Sequence, residues 1–219
     1  MRRVGSGASA VAALVFVFLL VVGGLVPNVR AQTTPDRSDV VLVLDFSASI
    51  LQDVTNRNKF GAALERIAAR VNETSADLVA GDTTVSIVQF AARAADTAGC
   101  ADLKLLNNPQ AVAHFADCLR AVAGAYRRGI SPGLTKLIGI DTNYVAAMQQ
   151  AAKHLPVGAE RPAMILFTDG KHDVRGVPVS AVQPARDQLF GNRSSFALLP
   201  VGMGLAPADR GSLASGLQA

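Results

Sequence analysis

Cysteine is scarce in this sequence, with two in 219 residues (Cys100 and Cys118), and histidine is hardly commoner, with three. The cysteines show no Cys-x-x-Cys spacing and no histidine pair lies near them, which argues against a zinc site. His114, His154 and His172 stand in no recognisable nucleophile arrangement, and no Gly-x-Ser-x-Gly elbow occurs after residue 31. No strand-like run is followed by a Walker-type phosphate loop. Internal repeats and low-complexity tracts are missing as well. These absences weigh against catalysis, and the chain is expected not to be an enzyme.

Charge is missing altogether between Ala8 and Val26, an apolar stretch preceded by Arg2 and Arg3 and broken by Pro27. Val29 and Ala31 stand at the positions a signal peptidase reads, so residues 1–31 have the layout of a secretory signal peptide. Cleavage after Ala31 is expected, leaving an extracytoplasmic chain, secreted or periplasmic. The apolar run is also long enough to serve as an uncleaved membrane anchor, which is the alternative. Loss of Arg2, Arg3 and Arg30 takes the 21 basic residues to 18, against 17 acidic ones. That near-balance gives no reason to expect nucleic acid as a partner.

The compartment decides the reading of the cysteines. In a reducing one they would be buried thiols; in an exported chain, a pair closing a short loop is expected to form a disulfide, Cys100–Cys118. Asn72 and Asn192 begin Asn-x-Ser/Thr sequences that matter only in a host that glycosylates secreted proteins.

Residues 32–38 are polar and contain Pro35, a linker into a domain spanning 39–219. Val40 to Leu44 is a continuous apolar run, the mark of a strand buried on both faces in the centre of a parallel sheet. A loop containing Asp53, Asn56 and Asn58 leads to a helix with Phe60, Ala63, Leu64, Ile67, Ala68 and Val71 on one face. Val85–Phe90 is a second strand, and the alternation over Ala101–Leu106 predicts a half-exposed edge strand. Asn108-Pro109 starts a helix whose inward face is Val112, Phe115, Ala116, Leu119, Val122, Ala123 and Tyr126.

A glycine-rich loop is expected from Ile130 to Asp141, then a helix carrying Tyr144, Ala147, Met148, Ala151, Ala152 and Leu155. Ala163–Thr168 is a second fully apolar strand. A weaker helix spans Ser180–Leu189 with Pro184 inside it, and Ser195–Val201 is the last strand. Strands alternating with amphipathic helices predict an α/β fold, a doubly wound and mostly parallel sheet flanked by helices.

The first strand ends in Asp45-Phe46-Ser47-Ala48-Ser49. Its carboxylate and two hydroxyls offer only oxygen, which suits a hard cation such as Mg²⁺ or Ca²⁺. A turn whose Asp and Ser merely cap the next helix is the competing reading. The second apolar strand also ends in an acid, in Thr168-Asp169-Gly170, and right-handed crossovers place both strand ends on one edge. Thr142 opens the helix before that second strand, so three separated segments can converge.

Asp45-x-Ser47-x-Ser49, then Thr142, then Thr168-Asp169-Gly170, resembles the metal-ion-dependent adhesion site of von Willebrand factor A-type domains. The resemblance covers roughly Asp39 to Gly204. It implies a vWA fold, with the Ser47, Ser49 and Thr142 hydroxyls binding the metal directly and Asp45 and Asp169 binding it directly or through water. The ion would be Mg²⁺, or Mn²⁺ or Ca²⁺. Asn143, His172 and Asp173 are candidates for a partner-binding rim. Phe46 and Ala48 read as packing beneath the loop, Tyr144 as core, and Asp141 as either a charge near the ion or a surface turn. Domains of this family usually continue through one more strand and a closing helix. The stretch from Leu205 to Ala219 leaves little room for both, so either the sheet lacks its last strand or the chain is part of a longer one.

The function this implies is binding of a divalent cation and, through it, of an exposed Asp or Glu on a protein partner. A structural subunit of a membrane-associated assembly, keeping its leader, is the alternative, and membrane contact is expected only then. A metal-dependent hydrolase is disfavoured. A phosphotransferase with an aspartate nucleophile needs a second acid two residues on, where this chain has Ser47.

Overall fold

The computed structural model describes residues 37–204 apart from 171 and 194. The expected leader, most of the linker, and the stretch from Leu205 onward, with its question of a last strand and helix, lie outside the described residues. The described chain runs β1 (Ser38–Asp45), α1 (Ala48–Gln52), α2 (Val54–Glu73), α3 (Ser75–Ala80), β2 (Thr83–Phe90), β3 (Ala94–Asp96), β4 (Leu103–Lys104) and α4 (Pro109–Arg128). It continues through α5 (Pro132–Ile138), α6 (Tyr144–Ala152), β5 (Arg161–Thr168), a 3₁₀ turn (Val179–Ala181), α7 (Val182–Phe190) and β6 (Ala197–Gly202).

The sheet order is β3-β2-β1-β5-β6, with β4 also paired to β2. β2, β1, β5 and β6 are parallel, while β3 and β4 run antiparallel to β2. Successive residues of the central strands feed opposite faces, as a period of two requires. Val40, Leu42, Leu44, Ile165 and Phe167 join one core with the inward faces of α2 and α4. Val41, Val43, Met164 and Leu166 join the other, with Tyr144, Ala147 and Met148 of α6 and Val182 and Phe190 of α7. The doubly wound α/β sheet expected from the sequence is therefore present, and its connections diverge to either side of β1. That divergence makes the C-terminal ends of β1 and β5 the switch point where open α/β sheets bind ligands.

The α4 start follows the sequence signal closely. The Asn108 side chain accepts from the Ala111 N–H at 3.0 Å, and Pro109 occupies the first helical position. Cys100 and Cys118 are joined by a disulfide that ties the loop before β4 to α4. His114 lies beside them, but both sulfurs are committed to each other.

Beyond the short helices α1 and α3, which the sequence pattern did not announce, four elements differ from expectation. The strand predicted over Ala101–Leu106 shrinks to Leu103–Lys104, because Asp102 and Asn107 adopt positive φ of 53° and 52° and break the extended backbone at both ends. The edge is instead shared with β3, whose Ala94-Ala95-Asp96 carries no strand-like pattern. The loop predicted from Ile130 to Asp141 contains α5. Ser131 caps it, accepting from the Leu134 N–H at 3.3 Å, with Pro132 at its start and Gly139 at φ 84° just past its end. Finally, α2 begins at Val54 on the Asp53 cap, so Asn56 and Asn58 are helical rather than in a loop.

Candidate functional site

β1 and β5 pair with Leu44 opposite Phe167, which brings Asp45 beside Thr168 at the common strand edge. The Thr168 hydroxyl donates to Asp45 Oδ2 at 2.6 Å, and the Ser47 N–H donates to Asp45 Oδ1 at 2.8 Å. Asp45 is completely buried, and its backbone carbonyl accepts from the Tyr126 hydroxyl at 2.7 Å. Ser47 stands at the cap position of α1 but makes no capping bond with its side chain. Its Oγ instead lies 3.0 Å from Ser49 Oγ. Ser49 Oγ in turn donates to Asp169 Oδ1 at 2.9 Å. The reading of these serines as simple helix caps is therefore set aside.

Thr142 reaches the same place from the α5–α6 connection. Its backbone is held on both sides by Asp173, with Thr142 N–H donating to Asp173 Oδ1 at 2.6 Å and Asp173 N–H donating to Thr142 O at 3.0 Å. Its hydroxyl faces Gly170: a Cβ built there would lie 3.5 Å from Thr142 Oγ1 and 3.7 Å from Ser49 Oγ. Glycine thus keeps open the small space that these two hydroxyls border. Asp45, Ser47, Ser49, Thr142 and Asp169 are drawn into one cluster of oxygens, with Asp45 at its floor and Ser49 at its exposed side.

Burial pushes the Asp45 carboxyl up to about 7, against the Thr168 and Ser47 hydrogen bonds that favour its charge; the nearby Asp169 charge adds to the rise. Asp169 is raised too, again by burial, against hydrogen bonds from Ser49 and Asn56. Two carboxylates that both resist ionisation share one edge, and among the described residues no cationic side chain is hydrogen-bonded to either. The donor set is purely oxygen, with three neutral hydroxyls and two carboxylates, and it fits a hard divalent cation, whose charge would offset theirs.

The family profile of the von Willebrand factor type A domain matches residues 40–172, a segment that contains all five of these residues. The chain belongs to the von Willebrand factor type A family. No curated protein matches it in sequence. A von Willebrand factor type A structure from Catenulispora acidiphila is 17% identical with TM-score 0.51, covering 84% of this chain and 37% of that one. The pilus adhesin SpaC from Lactobacillus rhamnosus GG is 16% identical with TM-score 0.51, covering 87% of this chain and 28% of that one. Proximal thread matrix protein 1 from the mussel byssus, in a structure with a zinc-occupied MIDAS motif, is 11% identical with TM-score 0.46, over 82% of this chain and 41% of that one. The chain thus spans less than half the length of each of these proteins, and at these identities what is shared is the fold.

In this von Willebrand type A domain the three residues read as a rim are placed differently from one another. Asn143 is buried: its side chain accepts from the Ala146 N–H at 3.1 Å, capping α6, and donates to Ala92 O at 3.0 Å. His172 is buried as well, with Nδ1 accepting from the Tyr144 N–H at 3.1 Å and Nε2 2.8 Å from Val177 O. Both hold the loops together and present no side chain to a partner, a correction to their reading as rim residues. The sequence signal for a rim was only their nearness to Thr142 and Asp169. Asp173 alone is exposed. Asp141 is half-buried on the same connection.

Three residues read as core or loop turn out to build the site. The Asn56 side chain donates to Asp169 Oδ2 at 2.9 Å from the first turn of α2. The Tyr144 hydroxyl donates to Gly170 O at 2.6 Å and lies 3.2 Å from Thr168 Oγ1. Tyr126 anchors Asp45 from α4 while stacking on Phe46 at 4.2 Å. For the two tyrosines the available signal was that only they, among the inward-facing side chains of α4 and α6, carry a hydroxyl needing a partner.

Proposed function

We propose that this von Willebrand type A chain is an exported, non-catalytic module that holds a divalent cation on Asp45, Ser47, Ser49, Thr142 and Asp169, and through it binds an acidic group on a protein partner. The observation that carries the reading is the hydrogen-bonded convergence of Asp45, Ser47, Ser49 and Asp169, with Thr142 delivered beside them by a third segment.

Each residue has a definable task. Asp45, fixed by Ser47 and Thr168, presents negative charge from the floor of the site. Ser47, Ser49 and Thr142 contribute neutral oxygens, so all compensation of the ion's charge falls to Asp45 and Asp169, and none of the three hydroxyls weakens its pull on an incoming carboxylate. Asp169 is steadied by Asn56 and completes the opposite wall. When bound, Mg²⁺, Mn²⁺ or Ca²⁺ supplies an electrophilic position for an incoming carboxylate oxygen, and Mg²⁺ keeps water readily at positions the protein does not fill. Tyr144, holding Gly170, and Asp173, holding Thr142, keep the oxygens aimed at one point.

The test is calorimetric titration of Mn²⁺ into the purified protein, followed by capture of partners with and without EDTA. Binding that Mn²⁺ supports and both EDTA and Asp45→Asn abolish is the expected result. Partner capture that survives both treatments would remove the mechanism.

The apolar run from Ala8 to Val26 keeps a second reading in play, a membrane-associated subunit using the same cation site. Among the described residues no helix is long and apolar enough to cross a membrane, so the distinction rests on the leader. A start at Gln32 in protein recovered outside the cytoplasm supports export; Met1 retained on a membrane fraction supports the subunit.

A further inference from the structure

Large hydrophobic side chains exposed on this domain are not scattered evenly. Val54 (56% exposed), Ile130 (42%), Leu137 (55%), Ile140 (45%) and Val179 (58%) all lie on connections at the strand edge that carries Asp45 and Asp169. Leu106 and Val157 are exposed at the opposite edge. Single exposed hydrophobics are ordinary, but a concentration of them beside a binding centre marks an interaction surface.

The α4–α6 connection contributes most of this surface and is held firmly against the site. Ala48 N–H, between the two site serines, donates to Ile140 O at 2.8 Å. Arg93 fastens the end of α5 from below: its N–H donates to Ile138 O at 2.7 Å, and its guanidinium donates to Leu137 O at 3.0 Å and Lys136 O at 2.6 Å. Gly129, at φ 75°, would place a Cβ 3.2 Å from Leu51 O, so the start of the connection also lies against α1, the helix that follows β1.

Charge on the connection has one sign. From Leu119 to Ile140 the sequence contains no Asp or Glu, but carries Arg120, Arg127, Arg128 and Lys136. Arg127 is paired with Glu65 at 2.6 Å; Arg128 and Lys136 are exposed near Ile130 and Leu137 in the chain. The stretch from Arg128 to Ile140 is therefore apolar and basic, and the acids beside the cluster, Asp53, Asp141 and Asp173, lie outside it.

We infer that the connection from Arg128 to Ile140 is the second half of the docking surface, and that its occupant is an extended segment of a protein partner in which the cation-seeking Asp or Glu is flanked by bulky apolar side chains. The inference rests on the cation reading given above and adds the chemistry of the partner. One carboxylate oxygen of the segment meets the cation. Its neighbouring side chains cover Leu137 and Ile140, and the basic edge at Arg128 and Lys136 favours an acidic segment over a neutral one. Because the platform is already fixed by Arg93 and Ala48, little ordering is needed when it is covered.

The experiment uses the purified full chain with Mn²⁺ and two synthetic probes of equal charge, acetyl-Gly-Ser-Asp-Gly-Glu-amide and acetyl-Leu-Phe-Asp-Leu-Glu-amide. The apolar probe is expected to bind at least tenfold more tightly, about 1.4 kcal/mol. The double variant Leu137→Ser, Ile140→Ser should lose that preference while taking up Mn²⁺ with unchanged heat, which also reports that it is folded. Lys136→Glu should weaken both doubly acidic probes. The double variant Leu106→Ser, Val157→Ser, at the far edge, should behave as wild type. Mn²⁺ uptake without discrimination between the probes, or a preference that survives Leu137→Ser with Ile140→Ser, overturns the docking surface and leaves the cation site standing. If Mn²⁺ produces no heat in the wild-type protein, the cation reading fails and this inference with it.

Discussion

The Tyr126 hydroxyl donates to the backbone carbonyl of Asp45 at 2.7 Å, joining α4 to the end of β1 across 81 residues of sequence. The tyrosine ring also stacks on Phe46 at 4.2 Å and leans on Phe60 at 5.2 Å. Packing on one face of the sheet is thereby coupled to the position of the acid that forms the floor of the site. Burial and the neighbouring Asp45 and Asp169 charges hold the phenol far above its ordinary pKa, so it stays a donor at any working pH.

Tyr126→Phe keeps the ring and removes the bond. A neutral hydrogen bond to a buried carbonyl contributes about 1 kcal/mol net, and somewhat more where the carbonyl is left without a substitute. Urea unfolding should show a loss of about 1–2 kcal/mol with an unchanged m-value. Because both Asp45 carboxylate oxygens keep their own donors, Mn²⁺ affinity should fall far less than in a variant of Asp45 itself.

The disulfide between Cys100 and Cys118 closes a loop with a sequence separation of 18. Loop-entropy reasoning assigns such a bridge about 3 kcal/mol, acting on the unfolded chain. Cys100→Ser with Cys118→Ser should lower stability by about that amount. It should leave Mn²⁺ binding intact, since neither residue touches the strand edge that bears Asp45. Unreduced wild-type protein, denatured and exposed to an alkylating agent, should take up no label.

His154 supplies part of the pH dependence, beside that of the raised Asp45 carboxyl. Its Nδ1 lies 2.9 Å from Asp102 Oδ1 and its Nε2 2.7 Å from Asp96 Oδ1, so both ring nitrogens face carboxylates. Burial acts to lower its pKa, but the hydrogen bonds and charges of Asp102 and Asp96 outweigh it, and the imidazole titrates above its ordinary 6.5. A histidine whose folded pKa is raised adds stability below the unfolded value, and that stability is lost as pH rises through the folded value. Wild-type stability should therefore decline above pH 6.5, and His154→Gln should flatten that part of the profile. Chemical unfolding at intervals from pH 5.5 to about 8.5 measures both curves.

Much of this was legible from the chain. Val40–Leu44 and Ala163–Phe167 are apolar at nearly every position because both faces of β1 and β5 are covered, and that pattern needs no tertiary knowledge to read. The cluster was legible for the same reason: acids ending two buried strands must share an edge once crossovers are right-handed. The failures have physical causes. β3 and β4 are short and exist through pairing with β2, so nothing in Ala94–Asp96 announces a strand. α5 was hidden by counting glycines instead of asking what each does: Gly139 ends the helix that Ser131 and Pro132 begin. His172 and Asn143 looked like rim residues by proximity, whereas their polar atoms are consumed by backbone groups that only the folded chain brings near.

The remaining prediction separates the cost of the site from its use. Asp45 is fully buried and its carboxyl is raised to about 7, so at pH 8 the metal-free protein carries a charge that burial disfavours. Asp45→Asn has the same shape. Its side-chain oxygen can accept from the Ser47 N–H as Asp45 Oδ1 does, while its amide faces the Thr168 hydroxyl, which can accept as well as donate. Metal-free Asp45→Asn should consequently be at least as stable as metal-free wild type at pH 8. Addition of Mg²⁺ should then divide them. A ligand that binds only the folded state stabilises it by about 2.7 kcal/mol at a hundredfold excess over its Kd, so wild type should gain about that much and Asp45→Asn almost nothing. Thr142→Ala, losing one neutral oxygen, should fall between the two. The measurement is urea unfolding with EDTA and with graded Mg²⁺ on all three proteins. A variant that loses stability in EDTA would show Asp45 to be a structural acid, and equal Mg²⁺ protection of wild type and Asp45→Asn would place the cation elsewhere.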